Sequence, residues 1–272
     1  DFNSNDLLER DLNIDICVIG GGLTGVSSAL HLAKKGYSVV ICESRSIGWG
    51  ASGRNGGQLG VGMRKDQFTI ENKFGFDHAN ELWNLGLESV QTALKLIKDY
   101  NIDCNIQKGV MSAGCFKNDI KDFELELNHL QKKYNYSDLE LLDQSSVYNE
   151  INSNMYFSGL LDKGSYHINP LKFLLGLAHQ LKILNVKIFE NTPVTKIKDD
   201  KNYIKVYANN KIIKANKVVV GCNGYLDKLL GSVRNKFMPI NNYVIATEPL
   251  GEKKARDIIK NNYAVCDTRF IL

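Results

Sequence analysis

Near the amino terminus the apolar positions change period twice. Asp15-Ile16-Cys17-Val18-Ile19 is a nearly continuous apolar run with β-branched residues, ending in Gly20-Gly21-Gly22, which is the pattern of a parallel strand buried on both faces. From Leu23 to Lys35 the apolar residues Val26, Leu30 and Ala33 recur at helical spacing. Lys34 and Lys35 suit the negative end of a helix dipole, and Gly36 suits a left-handed cap. Ser38-Val39-Val40-Ile41-Cys42-Glu43 reads as a second buried strand, so the three segments predict a βαβ unit with a right-handed crossover.

Farther on, Ala79, Leu82, Trp83, Leu87, Val90, Leu94 and Ile97 form one apolar stripe and predict a helix from Asp77 to Tyr100. Gly86 lies on that stripe, where it weakens the helix but admits a close neighbour. Asn169-Pro170 offers an N-cap followed by proline at the first helical position, predicting a helix from Leu171 to Leu184. Two short strands follow, Thr195 to Ile197 and Tyr203 to Tyr207, with a hairpin turn at Asp199-Asp200-Lys201-Asn202. Ile212 and Ile213 continue this meander, and Lys217-Val218-Val219-Val220-Gly221 is another buried run leading to Cys222-Asn223-Gly224. No internal repeat or low-complexity linker interrupts the chain, so a second domain must be interleaved with the first.

Composition narrows the classes without choosing among α/β functions. The 272 residues are 43% hydrophobic and 24% charged, with 34 basic and 30 acidic side chains, which disfavours collagen, coiled coil and wholesale disorder. No apolar run is long enough for a membrane-spanning helix, and Asp1 to Asp6 resemble no signal peptide. The expectation is a cytoplasmic protein that does not engage membranes. Lys34-Lys35, Lys132-Lys133 and Lys253-Lys254 are short basic clusters without interleaved aromatics, so they read as solvated faces and not as a nucleic-acid groove. The six cysteines and five histidines show no zinc spacing; the cysteines read as reduced, mostly buried thiols, and no metal is expected.

Candidate chemistry gathers where strand gives way to helix. In Gly20-x-Gly22-x-x-Gly25 the glycines permit a tight turn, approach of backbone to a pyrophosphate, and close packing of helix on strand. The helix N-terminus adds unpaired N–H groups and partial positive charge. Glu43, closing the second strand, can accept hydrogen bonds from a ribose diol and repels a 2′-phosphate, which disfavours NADP. The following Gly48-Trp49-Gly50-Ala51-Ser52-Gly53-Arg54-Asn55-Gly56-Gly57-Gln58-Leu59-Gly60 suits backbone wrapped closely around a ligand, with Ser52 and Arg54 available to phosphate or a polar ring edge. An NAD-dependent reductase would leave this segment unused; a ligand running past the pyrophosphate to a flavin would use it.

These residues, with Cys222-Asn223-Gly224-Tyr225 and the stretches Met238-Pro239-Ile240 and Thr247-Glu248-Pro249-Leu250, resemble the FAD-dependent D-amino-acid-oxidase-like superfamily. The resemblance is to its branch of γ-glutamylputrescine oxidoreductases and related amine oxidases, and it is thinnest from Lys117 to Asn154. It implies a Rossmann-like FAD-binding domain with a β-meander, interleaved with an α+β substrate domain that is C-terminally incomplete. The implied segments are 1–104 and 152–231 for the FAD domain, and 105–151 and 232–272 for the substrate domain.

By the same resemblance Gly20, Gly22, Leu23, Thr24 and Gly25 surround the FAD pyrophosphate, Glu43 takes the ribose, and Ser44 and Arg45 lie at the adenine side. Gly50, Ala51, Ser52, Arg54, Asn55, Gly56, Gly57 and Gln58 follow the ligand toward the flavin, Val194 offers backbone to adenine, and Cys222, Asn223 and Gly224 pass the pyrophosphate. Tyr243 belongs to the sheet that lines the substrate pocket.

The implied activity is oxidation of a C–N bond in an amine or amino-acid-like substrate by hydride transfer to flavin N5, with hydrolysis of the imine to an aldehyde. The alternatives are a sarcosine- or glycine-type oxidase of the same superfamily, and a non-catalytic or partner-dependent FAD-binding module. The flavin carries the hard step, so no triad is needed. No general base stands out; His167 is the histidine nearest a plausible cofactor-facing loop but reads more readily as a packed or capping residue, and Arg54 could pair with substrate or cofactor. Family members continue past the stretch Cys266 to Phe270, so the chain is expected to be the N-terminal portion of a longer enzyme, stopping within a strand at Leu272. An oligomer or a partner chain would cover the side left incomplete.

Overall fold

The structure is a computed structural model and describes Ser4, residues 6–226 and residues 228–269. The expected strand at Leu272 lies outside these residues. In chain order the elements are β1 (Leu12–Ile19), α1 (Leu23–Lys34), β2 (Val39–Cys42), β3 (Gln58–Leu59), α2 (Gln67–Phe74), α3 (Phe76–Asp99), β4 (Gln107–Gly114), α4 (Asp119–Tyr134), β5 (Leu139–Leu142) and α5 (Gln144–Glu150). They continue with β6 (Ser158–His167), α6 (Pro170–Ile183), β7 (Lys187–Phe189), β8 (Val194–Asp200), β9 (Tyr203–Ala208), β10 (Lys211–Val220), α7 (Gly231–Arg234), α8 (Glu252–Ile258) and β11 (Ala264–Asp267). Two 3-10 turns, Ala51–Gly53 and Asn223–Leu226, complete the set.

The chain forms two compact units. The first comprises residues 1–55, 100–104 and 170–245, and the second comprises residues 56–99, 105–169 and 246–272. Interleaving was expected, but along other boundaries: residues 56–99 and 152–169 fall in the second unit, and 232–245 in the first.

The first unit is built on a six-stranded sheet ordered β7-β2-β1-β10-β9-β8. β1, β2, β7 and the end of β10 run parallel, whereas β8, β9 and the start of β10 form an antiparallel meander. Ile16 to Ile19 and Val39 to Cys42 are all buried, as the unbroken apolar runs require of central strands. α1 packs against α6, whose Phe173, Leu174, Leu177, Ala178 and Leu181 are buried. α1 ends as its sequence predicts, with Gly36 at φ +87°.

Two local expectations are corrected. The hairpin turn is shorter than the polar cluster suggests, because β8 runs through Asp200, which pairs with Tyr203, leaving Lys201-Asn202 to turn. Ile212-Ile213 and Lys217–Val220 are one strand, β10, which pairs with β9 along its first half and with β1 along most of its length.

The second unit is a five-stranded sheet in which β11-β4-β6-β3 are neighbours and β5 shares an edge of β6 with β3. α3 buries Ala79, Trp83, Gly86, Val90 and Ile97 from the predicted stripe. A Cβ on Gly86 would stand 2.7 Å from the Gly62 nitrogen, the close approach that its place on the stripe anticipated.

A compact polar node joins α2 to α4. The Glu71 carboxylate accepts hydrogen bonds from Tyr134 Oη at 2.7 Å and Lys133 Nζ at 2.9 Å, and lies 2.5 Å from His129 Nε2. Burial pushes the Glu71 carboxyl up, but hydrogen bonds from Lys133, Tyr134 and His129 outweigh it and hold it below the ordinary 4.5. Glu71→Gln should therefore cost about 1–3 kcal/mol at neutral pH. A depressed folded pKa contributes stability above the unfolded value, and that stability is lost as pH falls through the folded one. Urea midpoints of wild type and Glu71→Gln should thus converge below pH 4.5; a gap independent of pH would show that the ionised carboxylate is not what joins the helices.

Candidate dinucleotide site

In the first unit the C-terminal ends of β1 and β2, the glycine turn after β1 and the 3-10 turns border a cavity of about 600 Å³. This lies where open parallel sheets receive ligands, beyond the carboxyl ends of their strands. Gly20, Gly22, Glu43, Ser44, Arg45, Gly50, Ala51, Ser52, Val194, Cys222 and Asn223 line it. Of the other residues singled out in the sequence, Leu23, Thr24, Gly25, Arg54, Asn55 and Gly224 belong to the same unit without lining the cavity. Gly56, Gly57 and Gln58 belong to the second unit. The lining also includes Gly21, Trp49, Tyr225 and Lys228. Gly21 and Tyr225 sit inside motifs already visible in the sequence, but no local pattern marks Lys228.

The turn requires glycine for steric reasons. Gly20 has φ +105°, and a Cβ there would come 2.6 Å from the Gly221 carbonyl oxygen. At Gly25 a Cβ would stand 1.9 Å from the Gly20 carbonyl oxygen and 3.2 Å from Val18 Cγ1. Gly25 therefore seats α1 on β1 and does not face the ligand space.

Glu43 joins two parts of the rim. Its Oε2 accepts from the Gly21 N–H at 2.6 Å, and its Oε1 accepts from the Arg45 N–H at 2.8 Å and the Ser44 hydroxyl at 3.2 Å. A carboxylate offers about four lone-pair sites, so little of this one remains for a ligand hydroxyl. Ser52 has a similar double aspect. Its Oγ accepts from the Leu23 N–H at 3.0 Å, capping α1 from outside the helix where the N-cap Gly22 has no side chain to do so. The hydroxyl proton of Ser52 is left to donate. No acidic residue occupies the first turn of α1, so the positive end of its dipole is not neutralised there.

Arg54 is engaged elsewhere. Its Nε donates to the Trp49 carbonyl at 2.7 Å and its guanidinium lies 5.2 Å from the Trp49 ring, which Arg45 approaches at 5.3 Å. Trp49 in turn meets Tyr225 edge-on at 6.0 Å. Asn55 folds back onto the Ala51 and Ser52 carbonyls. Burial and the charge of Glu43 push the Cys222 thiol up to about 11, so it is protonated at neutral pH and is no thiolate nucleophile. Three of the six cysteines are buried, namely Cys17, Cys42 and Cys104; Cys115 and Cys222 are half-buried and Cys266 is exposed.

Elsewhere, Gly57 stands at φ +70° with its carbonyl accepting from the Ile168 N–H, and Gln58 pairs in β3 with His167. His167 Nε2 lies 2.6 Å from the Asn262 carbonyl, the packed role favoured from sequence. Tyr243 corrects an expectation: it is 84% exposed and forms part of no strand. Pro239 lacks an N–H for any ladder, and among the described residues no strand pairs with residues 239–247. No helix among the described residues is long and apolar enough to cross a membrane.

The residues fit a dinucleotide. A turn without room for side chains, a helix N-terminus without acid and a carboxylate at the end of the neighbouring strand border one cavity. Residues 15–271 match the model of the DAO family, FAD dependent oxidoreductase. The γ-glutamylputrescine oxidoreductase of Escherichia coli is 36% identical over 268 residues, covering 98% of this chain and 62% of that protein. A probable oxidoreductase OrdL of Haemophilus influenzae is 33% identical over 262 residues, covering 95% of this chain and 61% of that one. The chain thus spans about three-fifths of the length of these relatives. The crystal structure of glycine oxidase from Geobacillus kaustophilus shares the fold with a TM-score of 0.64 at 18% identity, over 77% of this chain and 55% of that one. With nearly its whole length matched, the chain belongs to the DAO family of FAD-dependent oxidoreductases.

Proposed function

We propose that the first-unit cavity takes the adenosine diphosphate part of FAD and that the protein oxidises the C–N bond of an amine or amino-acid-like substrate, of the γ-glutamylputrescine class. The observation that carries this reading is the placing of Gly20, Gly22, Glu43 and Ser52 on one cavity at the start of α1. In this reading the glycine turn faces the pyrophosphate with the free proton of Ser52 as a donor, and α1 contributes through the unneutralised positive end of its dipole. Glu43 holds the ribose with the capacity left to it, while Ser44, Arg45 and the Val194 backbone border the adenine. Arg54 and Asn55 act indirectly, through Trp49 and the 3-10 turn that carry the lining. When bound, FAD supplies a two-electron oxidising centre that side chains lack. The 36% identity to γ-glutamylputrescine oxidoreductase supports the substrate class.

The visible spectrum tests the reading. Purified protein should show flavin bands that pass into the supernatant after acid precipitation, and γ-glutamylputrescine should bleach them anaerobically. A protein colourless even after incubation with FAD would overturn the cofactor assignment. The alternative reading is a partner-dependent FAD module. Bound flavin left oxidised by γ-glutamylputrescine, sarcosine and glycine alike would select that one.

A further inference from the structure

The second unit contains a cavity of its own, of about 310 Å³, bordered by the loop from Val61 to Asp66 and by α2, α3 and α4. This volume is at the small end of ligand sites, roughly 300–1,000 Å³. Its walls are apolar and aromatic, with Val61, Phe68, Trp83, Leu125 and Leu130, and Phe68 is stacked on His129 at 4.0 Å. Its polar groups are unequally satisfied. Asp66 caps α2, accepting from the Thr69 N–H and hydroxyl at 2.8 Å, and His129 is taken up by Glu71. Glu126 lines the same cavity with no hydrogen-bond or ion-pair partner among the described residues. Gln67, only 6% exposed, donates through Nε2 to the Ala79 carbonyl at 3.1 Å, and its Oε1 is buried without a partner.

We propose that this cavity binds a small organic monoamine with an apolar body, the ammonium lying on Glu126 and the body against Phe68 and Trp83. A half-buried carboxylate without a counter-charge is costly, and burial together with the charges of Asp66 and Asp162 pushes the Glu126 carboxyl up. An ammonium relieves that cost. It carries donors only, which suits the Glu126 carboxylate, with Asp66 and Asp122 in the same lining, and the unbonded Gln67 amide oxygen, while the unbonded indole N–H of Trp83 is left to the body of the ligand; aromatic faces favour a cation beside them. Lys65, the lysine at the rim, is exposed and lies near Asp66, which its charge helps to keep ionised. The site lies wholly within the second unit and does not depend on the function proposed above.

Calorimetric titration of the FAD-loaded protein with phenethylamine tests this, with 2-phenylethanol as the neutral control. The expected result is saturable one-to-one binding, at least 10-fold weaker for 2-phenylethanol and at least 10-fold weaker in Glu126→Gln. Leu125 is 61% exposed, so Leu125→Trp can fill the cavity mouth without disturbing the core, and it should abolish binding even if Glu126→Gln fails to fold. Binding unchanged in both variants would place the amine elsewhere and overturn the proposal, as would the absence of saturable heat.

Discussion

Gly25→Ala should lower folding stability by about 2–3 kcal/mol, the upper range for overpacking, although intrinsic helix propensity favours alanine over glycine by about 1 kcal/mol. The sign is decided by the contact at the third residue of α1. The new methyl would stand 1.9 Å from the Gly20 carbonyl oxygen and 3.0 Å from its carbon. Both neighbours are backbone of a turn that itself abuts Gly221, so relief requires α1 to lift from β1 or the turn to move into the cavity. The urea midpoint should fall with an unchanged m-value, and FAD retention should fall with it. Gly36→Ala supplies the comparison. Nothing lies within 4 Å of its added methyl, so only the left-handed backbone at φ +87° resists it, at about 1 kcal/mol. Equal costs at the two positions, or a gain at Gly25, would mean that α1 does not seat on β1 at this distance.

Glu43→Ala should weaken FAD binding by roughly 10- to 150-fold, equivalent to about 1.5–3 kcal/mol of charge-assisted hydrogen bonding, and should also destabilise the protein without FAD. The second effect follows from the geometry. The carboxylate already accepts from the Gly21 and Arg45 N–H groups, and its removal frees the glycine turn from the end of β2. Glu43→Gln should recover little of the loss, since its amide nitrogen would face one of those N–H donors. Calorimetric titration of the FAD-free variants, alongside their urea midpoints, separates the two effects. Weakened binding with unaltered stability would confine Glu43 to the ligand; altered stability with unchanged binding would move the ribose away from it.

The β1-α1-β2 unit was legible because the information is local. Period, glycine spacing and a strand-ending glutamate lie within one stretch, and strand, turn, helix and strand form where that stretch predicts them. The duties of Ser52 and Arg54 were not legible. Both were read as available to a ligand; Ser52 lines the cavity but also accepts from Leu23, far back in sequence, and Arg54 is taken up by Trp49. Such pairings depend on tertiary approach and leave no period in the sequence.

The second unit was largely unread for a different reason. β6 carries Gly159, Asp162, Gly164 and Ser165 in its span, so its alternation is broken where Asp162 gathers Tyr136, Gly164 and Ser165 into a hydrogen-bonded knot. α2 is short and mostly polar, and Asp66 at its cap is the clearest signal of its start. Even the unit boundary at Asn55 falls inside a glycine-rich run that reads as continuous.

The pairing of Leu12 with Ile213 in the central sheet has a consequence in time. A ribosome adds roughly 5–20 residues per second, so β1 waits about 10–40 s for the strand that closes its second edge. Until then Val18 and Ile19 lie beside an open ladder, and every contact across that edge carries the slow loop closure of distant pairing. The glycine turn and Glu43 are therefore synthesised well before β10, and the cavity that they border is completed only after β10 has emerged.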